Sequence, residues 1–440
     1  MHRGEVNLND NLAQALNWLG INENRLRDDK GTETEVVSPR EHAKALFTYL
    51  NMAGYLSESI LGKAVDYLAA AKPFAYDKRK VLSDLNNACQ LSNRNGQFDA
   101  EFFISNFGKQ KYFTVNDIID LLVFLQQTAF DRQHGVERDR LQAKPWMEEH
   151  KIEFIKMVTK LGIVTPLPPQ REQYAAAGIM GAASARAKSR LEYFRDLKID
   201  CNLALAFSGY RELSKGLDEE KVMDEIAGYL GKPVNYVKKP IGVDTREFLD
   251  GITETMMVNY FIETICPNMK IGIVDSAIER GHWRATSKQN AADVAPLIID
   301  KILSREIENT EEGRYHFLII AEQPYAGRMA KQVQREFDKE IKRRGLEDKI
   351  RIEVEGCGPG ISEQELVNTS VLTRLNSELG ALMAERFNGA RPILQQKPEL
   401  ALRDPSILMF NQRDEKYKTY QAPLEYDDEL SRTMRSSVIL

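Results

Sequence analysis

Cysteine is scarce in this chain of 440 residues. Its four cysteines, Cys89, Cys201, Cys266 and Cys357, stand far apart, with neither CxxC spacing nor the density of a disulfide-stapled secreted domain. A reducing, cytoplasmic setting follows. Long apolar runs are missing as well: nothing approaches the roughly 20 consecutive apolar residues that span a bilayer. The start, MHRGEVNLNDNLAQALNWLG, has no apolar core of signal-peptide length. No membrane span and no general secretory export are therefore expected. Nor is positive charge in excess, since 60 basic against 65 acidic side chains leave a formal charge of -5. That balance gives no footprint for a phosphate backbone and argues against a nucleic-acid partner. GxGxxG, GxxxxGK[ST] and the zincin and zinc-ribbon spacings are all absent, so no motif names a cofactor or a metal. Ligation of a metal by carboxylates stays open.

What is present is ordinary globular material, 42% hydrophobic and 28% charged, and long enough for two or three domains of roughly 100 to 150 residues each. Between Asn9 and Leu141 apolar residues recur at helical spacing, as in Leu46, Leu50 and Ala53, then Leu61, Val65 and Leu68, then Ile118, Leu121, Leu122 and Leu125. Thr114 is placed to cap a helix over 117–127. Residues 1–145 read as an all-helical domain, with a charged linker at 130–145. A helix at 145–161 and the proline-rich GIVTPLPPQ then lead into a different grammar. Short apolar runs at 174–180, 202–207, 234–237, 271–274, 317–321 and 350–354 alternate with helical patterns at 185–197, 218–230, 253–264, 288–303 and 328–343. Such alternation predicts an α/β fold over 146–390, Rossmann-like and doubly wound, with a mainly parallel sheet of five or six strands. A helix at 362–387, capped by Ser362, follows, and 391–440 reads as a peripheral wrap and tail.

Ligands of open α/β sheets bind beyond the carboxyl ends of the strands, where loops converge and helix N-termini present free amides. The strand ends here read GAASAR, SGYRE, DS, EQPYAGR and EGCGPG. The small-residue turn at Gly181 lets backbone approach an anion or merely packs tightly, and Arg186 and Arg190 lie one turn apart behind it. Ser208 and Gly209 end an apolar run, and Arg211 adds a fork for phosphate or carboxylate. Ala206 stands where a nucleophile elbow needs glycine, so Ser208 is read as a ligand contact. Arg284, Thr286 and Asn290 lead into one helix, and Gln323, Tyr325 and Arg328 surround the start of another. Either arginine is equally read as a surface charge. Asp275 and Glu322 end strands consecutive in the chain, as a general acid and base or as helix caps, and Glu254 opens the helix TETMMVNYF. Cys357 in GCGPG reads as a structural bystander.

Taken together, GAASARAKSRLEYF, a strand ending in SG, TETMMV, RATSKQNAADV and a strand ending in QPYAGR resemble the YdcF/SanA/ElyC-like family of bacterial domains. The order is similar to a divergent branch with an upstream helical domain. The resemblance implies a Rossmann-like sheet with a polar crevice, carried onto Gly181, Arg190, Ser208, Gly209, Glu254, Thr286, Asn290 and Arg328. Where many relatives carry a histidine after the late strand, this chain has Gln323-Pro324-Tyr325. The far end, PLEYDDELSRTMRSSVIL, resembles C-terminal signals of bacterial type IV secretion effectors, against the plainer reading of a solvated tail. Two functions stand: an enzyme or binding protein for an anionic, phosphate- or nucleotide-bearing small molecule, or a non-catalytic, translocated module whose helical N-terminal domain meets a protein partner.

Overall fold

A computed structural model describes residues 24–27, 33–71, 77–93, 96–108, 143–215, 217, 219–241, 244–278, 284–308 and 314–381. The expected helix at 117–127, its cap Thr114, most of the linker, and everything beyond 381 lie outside these residues. The chain divides into two compact units, one reaching Pro166 and resumed from Ile361, the other Leu167–Gly360.

Among its described residues the first unit is mainly helical, with one strand pair that the sequence pattern hid. Asn24–Arg27 pairs antiparallel with Glu33–Val37, so the expectation of helices alone is not met. The helices Pro39–Met52, Glu58–Ala71, Lys78–Ser92, Ala100–Gly108 and Lys151–Lys160 follow. Ser38 caps the first by accepting from the Glu41 N–H, and Pro39 takes the position where a missing N–H costs nothing. The periodic Leu46, Leu50, Leu61 and Val65 are buried, as amphipathic spacing requires. Trp146 and Phe154 lie 5.8 and 5.7 Å from the Tyr49 ring, whose hydroxyl donates to Asn376 Oδ1 at 2.5 Å. The helix expected over 145–161 is broken at His150 into Pro145–Glu149 and Lys151–Lys160. Residues 361–381 supply Leu366, Val371, Leu372, Leu375 and Leu379 to this same core.

The second unit is α/β, built on a five-stranded parallel sheet. Its strands are β1 (Ala176–Ile179), β2 (Ala204–Gly209), β3 (Ile271–Ser276), β4 (Arg314–Ile320) and β5 (Arg351–Cys357). Its helices are α1 (Ser184–Leu197), α2 (Glu220–Tyr229), α3 (Glu254–Ile265), α4 (Ser287–Leu303) and α5 (Ala326–Arg344). Across the sheet the strands run β3-β2-β1-β4-β5. The chain thus winds outward from β1 to β3, returns to the middle, and winds outward again, which puts a switch point between β1 and β4.

Alternate side chains along each strand serve opposite faces. Ala177, Ile179, Ala206, Leu318 and Ile320 pack with α1, α2 and α3, whereas Ala176, Leu205, Phe207, Phe317 and Ile319 pack with α4 and α5. β1 is made of small residues because Phe207 lies across it: a Cβ on Gly178 would come within 2.7 Å of Phe207 Cζ. The sixth expected strand, near 234–237, is not in this sheet. Tyr236–Ile241 is the edge of a separate antiparallel sheet with Asp244–Thr253 and Glu212–Ser214, inserted between β2 and α3. A hairpin pairs that stretch with its sequence neighbour, and no crossover returns it to the parallel sheet.

His42 gives the first unit a pH dependence. It is fully enclosed, and burial pushes its pKa down to about 4, against a rise from the Lys160 backbone. The unfolded chain, with an ordinary value of 6.5, then binds the proton more readily than the folded one. The contribution is whole above pH 6.5 and is lost as pH falls toward 4, by up to about 1.4 kcal/mol per pH unit. Urea midpoints measured across that window should fall more steeply for the native chain than for His42→Phe.

Candidate functional site

Beyond the carboxyl ends of β1 and β4, Arg190 is the organising side chain. Nearly fully buried, it donates through Nη1 to the carbonyls of Met180 at 2.6 Å and Gly181 at 2.8 Å. Its Nε donates to Glu322 Oε2 at 2.5 Å. Burial alone would raise the Glu322 pKa, but the guanidiniums of Arg190 and Arg186 outweigh it and hold the carboxyl below its usual range. Arg186 Nε stands 3.9 Å from Glu322 Oε1, and its guanidinium lies 5.7 Å from the centre of the Tyr325 ring. The Gln323 N–H donates to the Pro359 carbonyl at 3.1 Å, tying the exit of β4 to that of β5.

The two helices that start here have unusual beginnings. Ala183 is the N-cap of α1 and Tyr325 that of α5; neither gives a side-chain cap, and no acidic residue occupies either first turn. Each instead carries an arginine at its third position, Arg186 and Arg328. Along the same edge α3 is capped by Thr253, with Glu254 in its first turn, and α4 by a capping box of Thr286 and Gln289. Thr286 therefore serves its own helix.

Beyond β2 and β3 a second polar group forms. Arg211 is buried and committed inward: Nε donates to Glu254 Oε2 at 2.6 Å, while Nη2 and Nη1 donate to the two Glu219 oxygens at 2.5 and 3.1 Å. Its fork is filled by protein carboxylates, which rules out the ligand grip expected of it. Glu254 Oε1 is turned toward β1, where a Cβ on Gly181 would come within 2.6 Å of it and within 2.4 Å of the Phe207 carbonyl. Glycine is required at 181 for that close approach. Burial, with Glu219 adding to it, raises the Glu254 pKa against the opposing Arg211 and Arg284.

Asp275 ends β3 with its side chain accessible to solvent. Thr255 Oγ1 lies 2.6 Å from Asp275 Oδ1 and 3.1 Å from Ser208 Oγ. The protein packed around the inner side of Asp275 pushes its pKa up to about 6; the Thr255 hydrogen bond opposes this, and Glu254 and Asp293 add to it. Asn290 Nδ2 donates to the Ser208 carbonyl at 2.6 Å and to Ser276 Oγ at 3.0 Å, joining the ends of β2 and β3. Ser208 is buried and used within this network, and a Cβ on Gly209 would meet Ala285 Cβ at 2.6 Å. Ser208 and Asn290 bond to one another and to Thr255 and Ser276 at the ends of β2 and β3, and Gly209 makes room for Ala285.

Asp275 and Glu322 end strands consecutive in the chain but not in the sheet. β2 and β1 lie between them, three strand spacings or about 14 Å. They do not form one acid-base pair. Glu322 is an ion-pair partner, Asp275 alone has acid-base range near neutrality, and α4 has its own cap, so Asp275 is not one. Sequence patterns missed Thr255, Glu219 and Ser276. Only Thr255, beside Glu254 at a helix start, carried any signal. Cys357 is buried and its thiol pushed up, which removes thiolate chemistry there.

Among the described residues no group of three or more His, Cys, Asp or Glu side chains is placed to hold a metal, and no helix is long and apolar enough to cross a membrane. A hollow of about 330 Å³ lined by Leu56, Glu58, Asn86, Cys89, Gln90 and Asn93 belongs to the helical unit and touches none of the strand-end residues. Comparison with protein-family models, curated proteins and solved structures finds no match for this chain.

The two arginines at the rim should separate by stability. Arg211→Met removes the guanidinium that pairs with both Glu219 and Glu254 in a buried place and should cost about 3–5 kcal/mol in urea unfolding. Arg186→Met, at a partly exposed side chain, should cost under about 1 kcal/mol. Equal losses would mean that the Arg211 cluster is not held as described.

Proposed function

We propose that the second unit binds a phosphate-bearing small molecule, of the sugar phosphate or nucleotide class, over the carboxyl ends of β1 and β4. One observation carries this reading: the helices that start at the switch point, α1 and α5, both lack a side-chain cap and an acidic first turn, and both place an arginine at the third position. Uncapped helix starts leave N–H donors and the positive end of the helix dipole for an anion. The helices starting farther along the edge, α3 and α4, satisfy their own amides. Strand order supports the same place, because doubly wound sheets with the order β3-β2-β1-β4-β5 bind nucleotides where the winding reverses. We take the unit as Rossmann-like, similar to the YdcF/SanA/ElyC-like domains, with the preceding helices as a separate domain. Arg186 and Arg328 hold the anion in this reading, Gly181 makes room for Glu254 beside the turn, Arg190 and Glu322 fix the turn, and Asp275 is the group able to exchange a proton.

Calorimetry or thermal shift of the full chain with ribose 5-phosphate and with nucleoside monophosphates tests this. A ligand at hundredfold excess over its Kd should stabilise the native state by about 2.7 kcal/mol. Arg186→Ala should weaken it about tenfold, the loss of one charge-assisted contact. Tight binding undiminished by Arg186→Ala would place the ligand elsewhere.

A further inference from the structure

The hydroxyl of Thr255 stands between a buried serine and an accessible carboxylate. Its Oγ1 is 2.6 Å from Asp275 Oδ1, 3.1 Å from Ser208 Oγ and 3.4 Å from the Gly209 carbonyl. A hydroxyl carries one hydrogen. The shortest contact and the charged acceptor claim it, so Thr255 donates to Asp275 and accepts from Ser208. The chain of donation thus runs one way, Ser208 to Thr255 to Asp275. Its buried end is anchored by Asn290, which holds the Ser208 carbonyl and the hydroxyl of Ser276, the residue after Asp275. Oδ1 of Asp275 is bonded to Thr255, and the side chain as a whole is accessible to solvent. Glu254, adjacent to Thr255 on α3, repeats the arrangement: Oε2 is taken by Arg211, while Oε1 is turned over Gly181.

No folding role accounts for so much order around an accessible carboxylate. Asp275 caps no helix and pairs with no cation among the ion pairs of the described residues, and α4 begins on its own capping box. A surface aspartate needing only water would not require a buried serine, a threonine and an asparagine around it.

We propose that Thr255 is a positioning residue, a hydroxyl bridge backed by Ser208 that aims the second oxygen of Asp275 at a hydroxyl group of the phosphate-bearing ligand. This rests on the reading of the switch point as the phosphate site. It adds that the ligand extends from there across β2 toward β3 and carries hydroxyl donors, as a sugar phosphate does and inorganic phosphate does not.

The test uses the full chain labelled with carboxyl-¹³C aspartate, the Asp275 resonance being identified by its loss in Asp275→Asn. Thr255→Val removes the hydroxyl at nearly constant volume and should raise the Asp275 titration midpoint by about one unit, because a donor to the ionised form is lost. Thr255→Ser keeps the hydroxyl and should restore it. Ser208→Ala, should the valine variant fold poorly, should move the midpoint in the same direction by less. At pH 7.5, ribose 5-phosphate should perturb the Asp275 resonance of the unaltered chain and inorganic phosphate should not. An unmoved midpoint in Thr255→Val, or a serine variant behaving like valine, overturns the bridge. Binding of ribose 5-phosphate without any change at Asp275 overturns the placement of the ligand hydroxyl. Failure of both compounds to bind counts against the phosphate reading itself, while the titration still decides the role of Thr255.

Discussion

The guanidinium of Arg190 sits where the winding of the chain reverses, and it joins β1 to a residue 132 positions away in sequence. A buried charge is costly unless it is paired and its donors are used. Here both conditions are met: two carbonyls at the end of β1 take one nitrogen, and Glu322 takes another. Without that residue the carbonyls of Met180 and Gly181 would lose its Nη1 donor and the Glu322 carboxylate its nearest cation. The turn into α1 and the entry to α5 are therefore set by one side chain, and the polar rim is arranged around it.

Charge along that rim is divided by how each arginine is used. Arg211 is spent on Glu219 and Glu254 and offers no free donor to the rim. Arg186 is partly exposed and only loosely associated with Glu322. Along the strand ends Arg186 is thus the partly exposed guanidinium near β1 and β4, and Asp275 the accessible carboxylate at the end of β3.

Much of the α/β unit was legible because buried parallel strands are continuous apolar runs, and LALAF, IGIV and FLII are such runs. Five of six expected strands lie in the sheet. The order of strands was not legible, since apolar runs carry no label for their neighbours, and sequence order alone makes Asp275 and Glu322 look like companions. Tyr236–Ile241 misled because a short β-rich run looks alike in a hairpin and in a parallel sheet. Position in the sequence places arginines at strand ends, but whether a guanidinium turns inward or outward depends on partners such as Glu219, whose role nothing in its local sequence announces. The short pair at 24–37 escaped for a related reason, as its residues are mostly polar and lack an alternating pattern.

The insert of antiparallel strands has its root in the Arg211 cluster at both ends. It is entered through Glu212 directly after Arg211, and it is left through Thr253 directly before Glu254, while Glu219 within it fills the other half of the guanidinium fork. The insert is thus a lever on the rim. Any remodelling that displaces its root reaches Glu254 through a single planar group, whereas changes distant from the root have no such route. A graft that crosses Glu219 therefore changes the orientation of a carboxylate more than thirty residues downstream.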